Sequence, residues 1–315
     1  MFNKILVTGG TGLVGTALNS IVDSYSPTEF IFAGSKDCDL TRFDETVDYV
    51  RACNPDAMIQ LAALHGSISY GSRYPATLLR DNVMMDLNLL EAARINGVKK
   101  IALTLSTGMY PEDAPIPLKE EYIHEGYPHD SSYGYAFAKR LIDPSIRAYR
   151  AQYGLSAIGL ITNGIFGENA DFRHQSSVML PALIRRFYEN KDNDTKITIW
   201  GDGSPVREYT YAKDIARAFM WCLDNYDSEQ ILNIGSTEEH SVAEVACMIA
   251  EIMGVDPDRK EFDTTKPVAI SRKSSDNSKF MNLSNFKYTP FREGLENSIK
   301  YFMESYGDPT KIKLD

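Results

Sequence analysis

Short apolar runs and helix-like stretches alternate through the first half of the chain. Lys4-Ile5-Leu6-Val7 is the first run, followed by Glu29–Ala33, Ala57–Ala63, Lys100–Ser106 and Ala157–Thr162. Between them, residues 13–23, 44–52, 75–96 and 133–153 carry the wider spacing of helices. Continuous apolar strands separated by helices predict an α/β fold, a doubly wound parallel sheet covered on both faces. The second half is more mixed. Residues 177–190, 239–253 and 292–306 read as helices, Lys196–Trp200 and Ile231–Ile234 as short strands, and Tyr211–Leu223 as a helix returning to the first unit. The expected organisation is a first unit over residues 1–166 with a return segment near 208–235, and a smaller α+β lobe from 167–207 and 236–315. No internal repeat or low-complexity linker interrupts it.

Thr8-Gly9-Gly10-Thr11-Gly12-Leu13-Val14-Gly15 follows the first strand directly. Glycine suits a loop whose backbone takes positive φ or approaches a pyrophosphate closely, and the helix behind it would aim its first amides at those phosphates. The spacing Gly9, Gly12, Gly15 is G-x-x-G-x-x-G, slightly different from the commoner G-x-G-x-x-G. Glycine trios also occur in ordinary turns; the place behind an N-terminal strand favours a dinucleotide site, with Gly9, Thr11, Gly12, Leu13, Val14 and Gly15 as contacts. The second strand ends Phe32-Ala33-Gly34-Ser35-Lys36, with no carboxylate before Asp37. A carboxylate at this end normally binds the ribose and repels a 2′-phosphate. Ser35 and Lys36 therefore favour NADP(H) over NAD(H), unless Lys36 is only a solvated loop residue. Asp39 and Leu40 lie where such folds hold the adenine, and Leu61-Ala62-Ala63 where small residues pass beneath the cofactor.

Composition narrows the setting. The 315 residues are 43% hydrophobic and 24% charged, ordinary for a soluble globular protein. No apolar run reaches the ~18–20 residues that span a bilayer. The first strand begins at once, so no signal peptide is expected. Cys38, Cys53, Cys222 and Cys247 lack metal-type spacing and read as reduced thiols, which points to the cytoplasm and to no metal. A net charge of −10 argues against general nucleic-acid binding, but leaves room for a local basic pocket.

Tyr135 and Lys139 stand four apart at the start of a predicted helix and share one face. An unperturbed phenol titrates near pH ~10, and a neighbouring ammonium favours its phenolate, which suits general acid–base chemistry. With 18 tyrosines in the chain, about one Y-x-x-x-K match arises by chance at ordinary lysine content. The chain has a second, Tyr209 and Lys213. Context separates them: Ser106 and Thr107 close a predicted strand, one helix before Tyr135, whereas Tyr209 lies beyond the dinucleotide core.

Taken together, Thr8–Gly15, Ser106, Tyr135 and Lys139 resemble the extended short-chain dehydrogenase/reductases acting on nucleotide sugars. Within them the chain is most similar to the GDP-L-fucose synthases, which epimerise and reduce GDP-4-keto-6-deoxymannose. The resemblance spans nearly the whole chain. Its most specific stretches are Ser35–Asp37, Ser106-Thr107 with Tyr110-Pro111, and Tyr133–Arg140; then Leu180–Phe187, Trp200–Gly203 with Arg207-Glu208, and Phe262–Pro267. The resemblance implies NADPH as cofactor and Ser106, Tyr135 and Lys139 as the catalytic set that reduces the sugar ketone at carbon 4. It further implies GDP contacts from Arg186, Trp200, Arg207 and Lys273, and a homodimer through residues 75–96 and 133–153.

Three departures matter more than the matches. Gly108 stands where the resembled enzymes carry the cysteine acid/base of epimerisation, and Val178 where they carry the histidine. Gly164 replaces an asparagine, with Asn163 shifted one place so that it points elsewhere along a strand, and Gly108 and Gly164 are expected to leave space near the sugar's far end for a longer heptose. The substrate side is thus expected to hold Thr107, Gly108, Asn163 and Val178. Among the histidines, His174 lies near Val178, His65 follows Ala62-Ala63 and His129 precedes the Tyr135 helix. The expectation is an NADPH-dependent 4-ketoreductase of a GDP-linked 4-keto-6-deoxy sugar, hexose or heptose, without epimerase activity. Its rivals are the full epimerase-reductase and, remotely, a non-catalytic NADP-binding sensor. The 4,6-dehydratases need Asp-Glu after the catalytic hydroxyl, where this chain has Thr107-Gly108.

Overall fold

The computed structural model describes residues 2–66, 68–174, 176–265 and 271–315. Lys266 and Pro267, at the end of one resembling stretch, lie outside the described residues. Its strands are β1 (Lys4–Thr8), β2 (Glu29–Ala33), β3 (Ala57–Gln60), β4 (Lys100–Ser106), β5 (Ser156–Thr162), β6 (Gly164–Phe166), β7 (Ile197–Trp200), β8 (Val206–Tyr211), β9 (Leu232–Asn233), β10 (Glu239–Ser241), β11 (Lys260–Asp263) and β12 (Arg272–Lys273). The helices are α1 (Leu13–Asn19), α2 (Phe43–Cys53), α3 (Ile68–Arg73), α4 (Pro75–Ile95), α5 (Tyr133–Arg140), α6 (Ile142–Tyr153), α7 (Met179–Glu189), α8 (Ala212–Asn225), α9 (Val242–Met253), α10 (Ser278–Ser284) and α11 (Phe291–Ser305).

Six parallel strands form the central sheet in the order β2-β1-β3-β4-β5-β9. The apolar strands face both ways. Leu6 on β1 and Ala157 and Ile161 on β5 join α2, α4 and α6 in one core, while Ile5, Val7, Ile158 and Leu160 pack with Leu18 of α1 and Ile215 and Phe219 of α8 in another. Period-two alternation between two covered faces is what a doubly wound sheet requires. The order reverses between β1 and β3, so the crevice opens at their carboxyl ends, directly above the glycine loop.

A third core fills the smaller lobe, built from α7, α9 and α11 over β6, β7 and β8. The expected boundaries need correction here. β6 and β8 pair with each other outside the central sheet, and Phe166, Tyr209 and Tyr211 pack in the lobe core, although residues 164–166 and 208–211 were expected in the first unit. Phe280 of α10 packs with the central sheet, although it falls in the segment expected to form the lobe.

Other differences are local and have identifiable causes. The helix expected over 133–153 is two, because Pro144 offers no N–H to the Arg140 carbonyl. The strand expected over 57–63 stops at Gln60, whose side chain turns back on the backbone: Oε1 accepts from Ala62 N–H at 3.0 Å and Nε2 donates to Ala62 O at 3.0 Å. The helix expected from Glu239 begins at Val242, where Ser241 and Glu244 form a reciprocal capping box. Helix α1 ends at Asn19 rather than Asp23, because Ile21 N–H bonds three residues back and tightens the turn. Among the described residues, no helix is long and apolar enough to cross a membrane.

Candidate active site

Gly9 takes φ +70°, and a Cβ there would lie 2.5 Å from the Ala62 nitrogen. At Gly15 a Cβ would meet the Gly10 backbone at 2.6 Å. The loop is therefore pressed against Leu61-Ala62 and folded on itself, with no room for side chains at either glycine. Thr11 is exposed, Leu13 leans on the lobe core and Val14 on the sheet core. Beside the loop, Asp37 turns its Oδ2 back onto Gly34 N–H at 2.7 Å, which leaves Ser35 and Lys36 exposed just beyond β2. Asp39 is exposed and accepts from the backbone N–H of Thr41 at 3.0 Å. Leu40 differs from expectation. Its side chain is buried in the core under α4, so of this pair Asp39 alone faces the cleft. Leu61 and Ala62 are half-buried beneath the loop, and Ala63 is exposed.

Ser106 ends β4, and α5 opens directly across from it. The Ser106 side chain hydrogen-bonds Tyr135 and also accepts from Gly108 N–H at 3.1 Å. Burial pushes the Tyr135 phenol up; the Lys139 ammonium one turn on and the Ser106 hydroxyl pull it down, and Asp86 opposes them. Lys139 is 1% exposed, and its Nζ donates to Asp86 Oδ2 at 3.1 Å. Asp86, on α4, also accepts from Gln60 Nε2 at 2.9 Å, and Gln60 Oε1 accepts from Thr8 Oγ1. A phenol with a hydroxyl on one side and an ammonium behind it can give a proton to an oxygen gaining charge in the cleft. The second Y-x-x-x-K pair has no such geometry. Tyr209 lies in β8 with its hydroxyl buried and unpartnered, while Lys213 sits in α8 against Glu168 at 2.9 Å.

Directly after Ser106, Thr107 and Gly108 lie in a single 3-10 turn. A Cβ at Gly108 would meet only Ser106 Oγ, at 3.3 Å. At Gly164 the expectation of free space fails: a Cβ would lie 2.5 Å from the Glu208 carbonyl, because β8 closes over β6. Asn163 points away, as its shifted position implies. Its Nδ2 donates to Glu208 Oε2 at 3.0 Å and to Ser236 O at 2.7 Å, and its Oδ1 accepts from Thr210. Its amide joins strands within the protein, which corrects the expectation of a substrate contact. Val178 is 42% exposed at the start of α7. His174 is exposed and stands 4.0 Å from Asp315, whereas the His65 ring meets Tyr135 edge-on at 5.0 Å between centroids.

The lobe brings cations together. Arg207 on β8 and Lys273 on β12 are register partners. Burial, then the Arg207 charge, lowers the Lys273 ammonium to about 8, and burial lowers Arg207 as well. Arg186 is half-buried, bonds the Thr198 carbonyl and is likewise pulled down by burial. Trp200 is 61% exposed at the end of β7. Between these cations and the sheet, burial raises Glu208 to about 7 against donors from Ser275 and Asn163.

Sequence reasoning missed Asp86, Asn82 and Gln60. Asn82 clamps the Leu64 backbone by accepting from its N–H at 3.0 Å and donating to its carbonyl at 2.9 Å, which fixes the loop carrying His65. The signal was present. Asn82 and Asp86 fall on the same helical stripe as Leu78, Leu89, Leu90 and Ala93, where a polar side chain must have a buried partner.

Comparison with known proteins fits this geometry. The profile described as the NAD dependent epimerase/dehydratase family matches residues 5–235. A GDP-L-fucose synthase of Dictyostelium discoideum is 34% identical over 307 residues, 96% of this chain and 96% of the relative. The crystal structure of a GDP-L-fucose synthetase from Naegleria fowleri bound to NADP superposes with a TM-score of 0.90 at 34% identity, covering 97% of this chain and 95% of that one. A GDP-mannoheptose C4 reductase from Campylobacter jejuni with NADP bound gives 0.85 at 25% identity, covering 96% and 98%.

Proposed function

The chain belongs to the NAD dependent epimerase/dehydratase family, among the GDP-L-fucose synthases, and from that premise we propose that it reduces the carbon-4 ketone of a GDP-linked 4-keto-6-deoxy sugar with NADPH, without epimerising carbons 3 and 5. It is an NADP-dependent oxidoreductase of nucleotide sugars. The observation that carries the reductase reading is the pairing of an intact Ser106–Tyr135–Lys139 group with Gly108 and Val178 at the two positions where relatives move protons.

The residues fit the cofactor. The glycine loop offers backbone amides with no side chains at Gly9 and Gly15, as a pyrophosphate requires. Ser35 and Lys36 offer a hydroxyl and an ammonium where a 2′-phosphate would lie, and Asp37 is engaged with Gly34. When bound, the reduced nicotinamide supplies hydride to carbon 4. The chain's own groups do the rest. Ser106 holds the ketone oxygen, and Tyr135 gives its proton to that oxygen as charge develops on it. Lys139 stabilises the resulting phenolate. Arg207 and Lys273 stand side by side as register partners, and two adjacent cations suit the oxygens of a diphosphate. Trp200 offers a flat face for a base or sugar.

At Gly108 a Cβ would touch only Ser106 Oγ, at 3.3 Å, and the missing side chain is the room we assign to a longer sugar such as a heptose. Met84, Leu87 and Ile95 on α4 and Tyr153 on α6 are exposed together, an apolar face suited to a second copy of the chain. The test is turnover of a panel of GDP-4-keto sugars with NADPH, with products assigned by NMR. NADPH oxidation with carbons 3 and 5 unchanged is expected. Inverted configuration at either carbon would establish the epimerase-reductase, and absence of any turnover would favour the sensor.

A further inference from the structure

A buried carboxylate stands behind the lysine that is meant to charge the active site. Asp86 is 3% exposed, and its carboxylate takes a hydrogen bond from Lys139 Nζ at 3.1 Å and another from Gln60 Nε2 at 2.9 Å. Gln60 is itself fixed by Thr8 on β1 and by both backbone groups of Ala62. The line Thr8–Gln60–Asp86–Lys139 thus runs from β1 through β3 and α4 to α5, and ends beneath Tyr135. Such a pair is costly to bury, and it does little for stability that matched apolar residues would not do. Its position suggests a chemical task instead.

We infer that Asp86 is a positioning residue, which pins Lys139 beneath Tyr135 and offsets part of its charge so that Tyr135 works as a proton donor rather than as a standing base. A reductase needs the protonated phenol; a lysine acting without a counter-charge would favour the phenolate. Among the described residues, the groups that act on Tyr135 are Lys139 on α5, Asp86 on α4, Ser106 at the end of β4 and His65 after β3. Lys139 and Ser106 draw the phenol pKa down, Asp86 draws it up, and His65, whose own pKa is lowered by its surroundings and then by Lys139, carries no charge near neutral pH. Removing the Asp86 charge therefore leaves Lys139 unopposed, and the phenol should lose its proton at lower pH.

The inference rests on Tyr135 being the proton donor. Asp86→Asn is compared with wild type as the NADP⁺ complex, following tyrosinate absorbance against pH and subtracting Tyr135→Phe under the same conditions. The Tyr135 step is expected to move down by about one pH unit or more, the size of shift that a close charge imposes. The alkaline limb of ketone reduction with NADPH should move down with it. Asp86→Ser makes the same charge change with space for water, and serves if the asparagine variant does not fold. A step that stays in place or moves up, in a variant that still binds NADPH, overturns the inference. Normal turnover by Tyr135→Phe would instead sink the assignment of Tyr135, which separates the two failures.

Discussion

At one end of the cleft Thr8, Gln60, Asp86 and Lys139 pass hydrogen bonds from β1 to α5, and Ser106 meets Tyr135 across the gap. At the other end Gly164 and Val178 bring no group that can carry a proton, Asn163 is turned into the protein, and Gly108, beside Ser106, adds none either. The contrast separates two demands on a nucleotide-sugar site. Reduction needs one donor held in fixed geometry. Epimerisation needs acid/base groups reaching carbons beside the ketone. Here five converging elements hold the donor proposed for the first, while the positions suited to the second hold small or apolar residues.

The largest effect should come from breaking the networked end. Tyr135→Phe removes one hydroxyl and leaves the ring against His65 and the glycine loop untouched. NADPH binding, followed by quenching of protein fluorescence, should persist, while ketone reduction falls ~10²-fold or more, as for loss of a general acid. Turnover near wild type would remove Tyr135 from the chemistry.

This end was also the more legible in the sequence. The apolar runs and Thr8–Gly15 announced the sheet and its loop, and Tyr135 and Lys139 lay one helical turn apart. Asp86 was harder to see, because its partner is 53 residues away and only the packing of α4 on α5 brings them together. Short strands such as β6 and β12, three and two residues long, carry too little periodicity to be read. The closure of β8 over Gly164 depends on one of them, and so the vacancy expected there was filled by a backbone carbonyl.

A smaller effect should sharpen the contrast at the cofactor's outer edge. Lys36→Asp replaces an exposed cation beyond β2 with a carboxylate, next to Ser35 and away from the buried network. One charge-assisted contact is worth roughly 1.5–3 kcal/mol, so KM for NADPH should rise about tenfold or more relative to that for NADH. The maximal rate should change little. Equal weakening of the two cofactors would mean that Lys36 does not read the 2′-phosphate.

The smallest expected effect is none at all, and it bears hardest on the comparison. An epimerase takes a proton from carbon 3 or 5 and returns one, so turnover in deuterated water would leave deuterium on those carbons. The proposed reduction would draw only a hydroxyl proton from Tyr135, and that proton exchanges freely. Product made in deuterated water is therefore expected to carry no enzyme-dependent, non-exchangeable deuterium at carbons 3 and 5, read by NMR after subtracting an enzyme-free control. The control matters because protons beside a ketone exchange spontaneously. If deuterium appears, the apolar end is not inert, and the geometry ranks the histidines that could act. His174 is exposed near Asp315, on the segment leading to α7, whereas His65 touches Tyr135 and is held by the Asn82 clamp on Leu64. Loss of the label in His65→Ala, with reduction retained, would then place the proton carrier at the Tyr135 end and erase the division drawn between the two ends; loss in His174→Ala would keep the division and restore function to the far one.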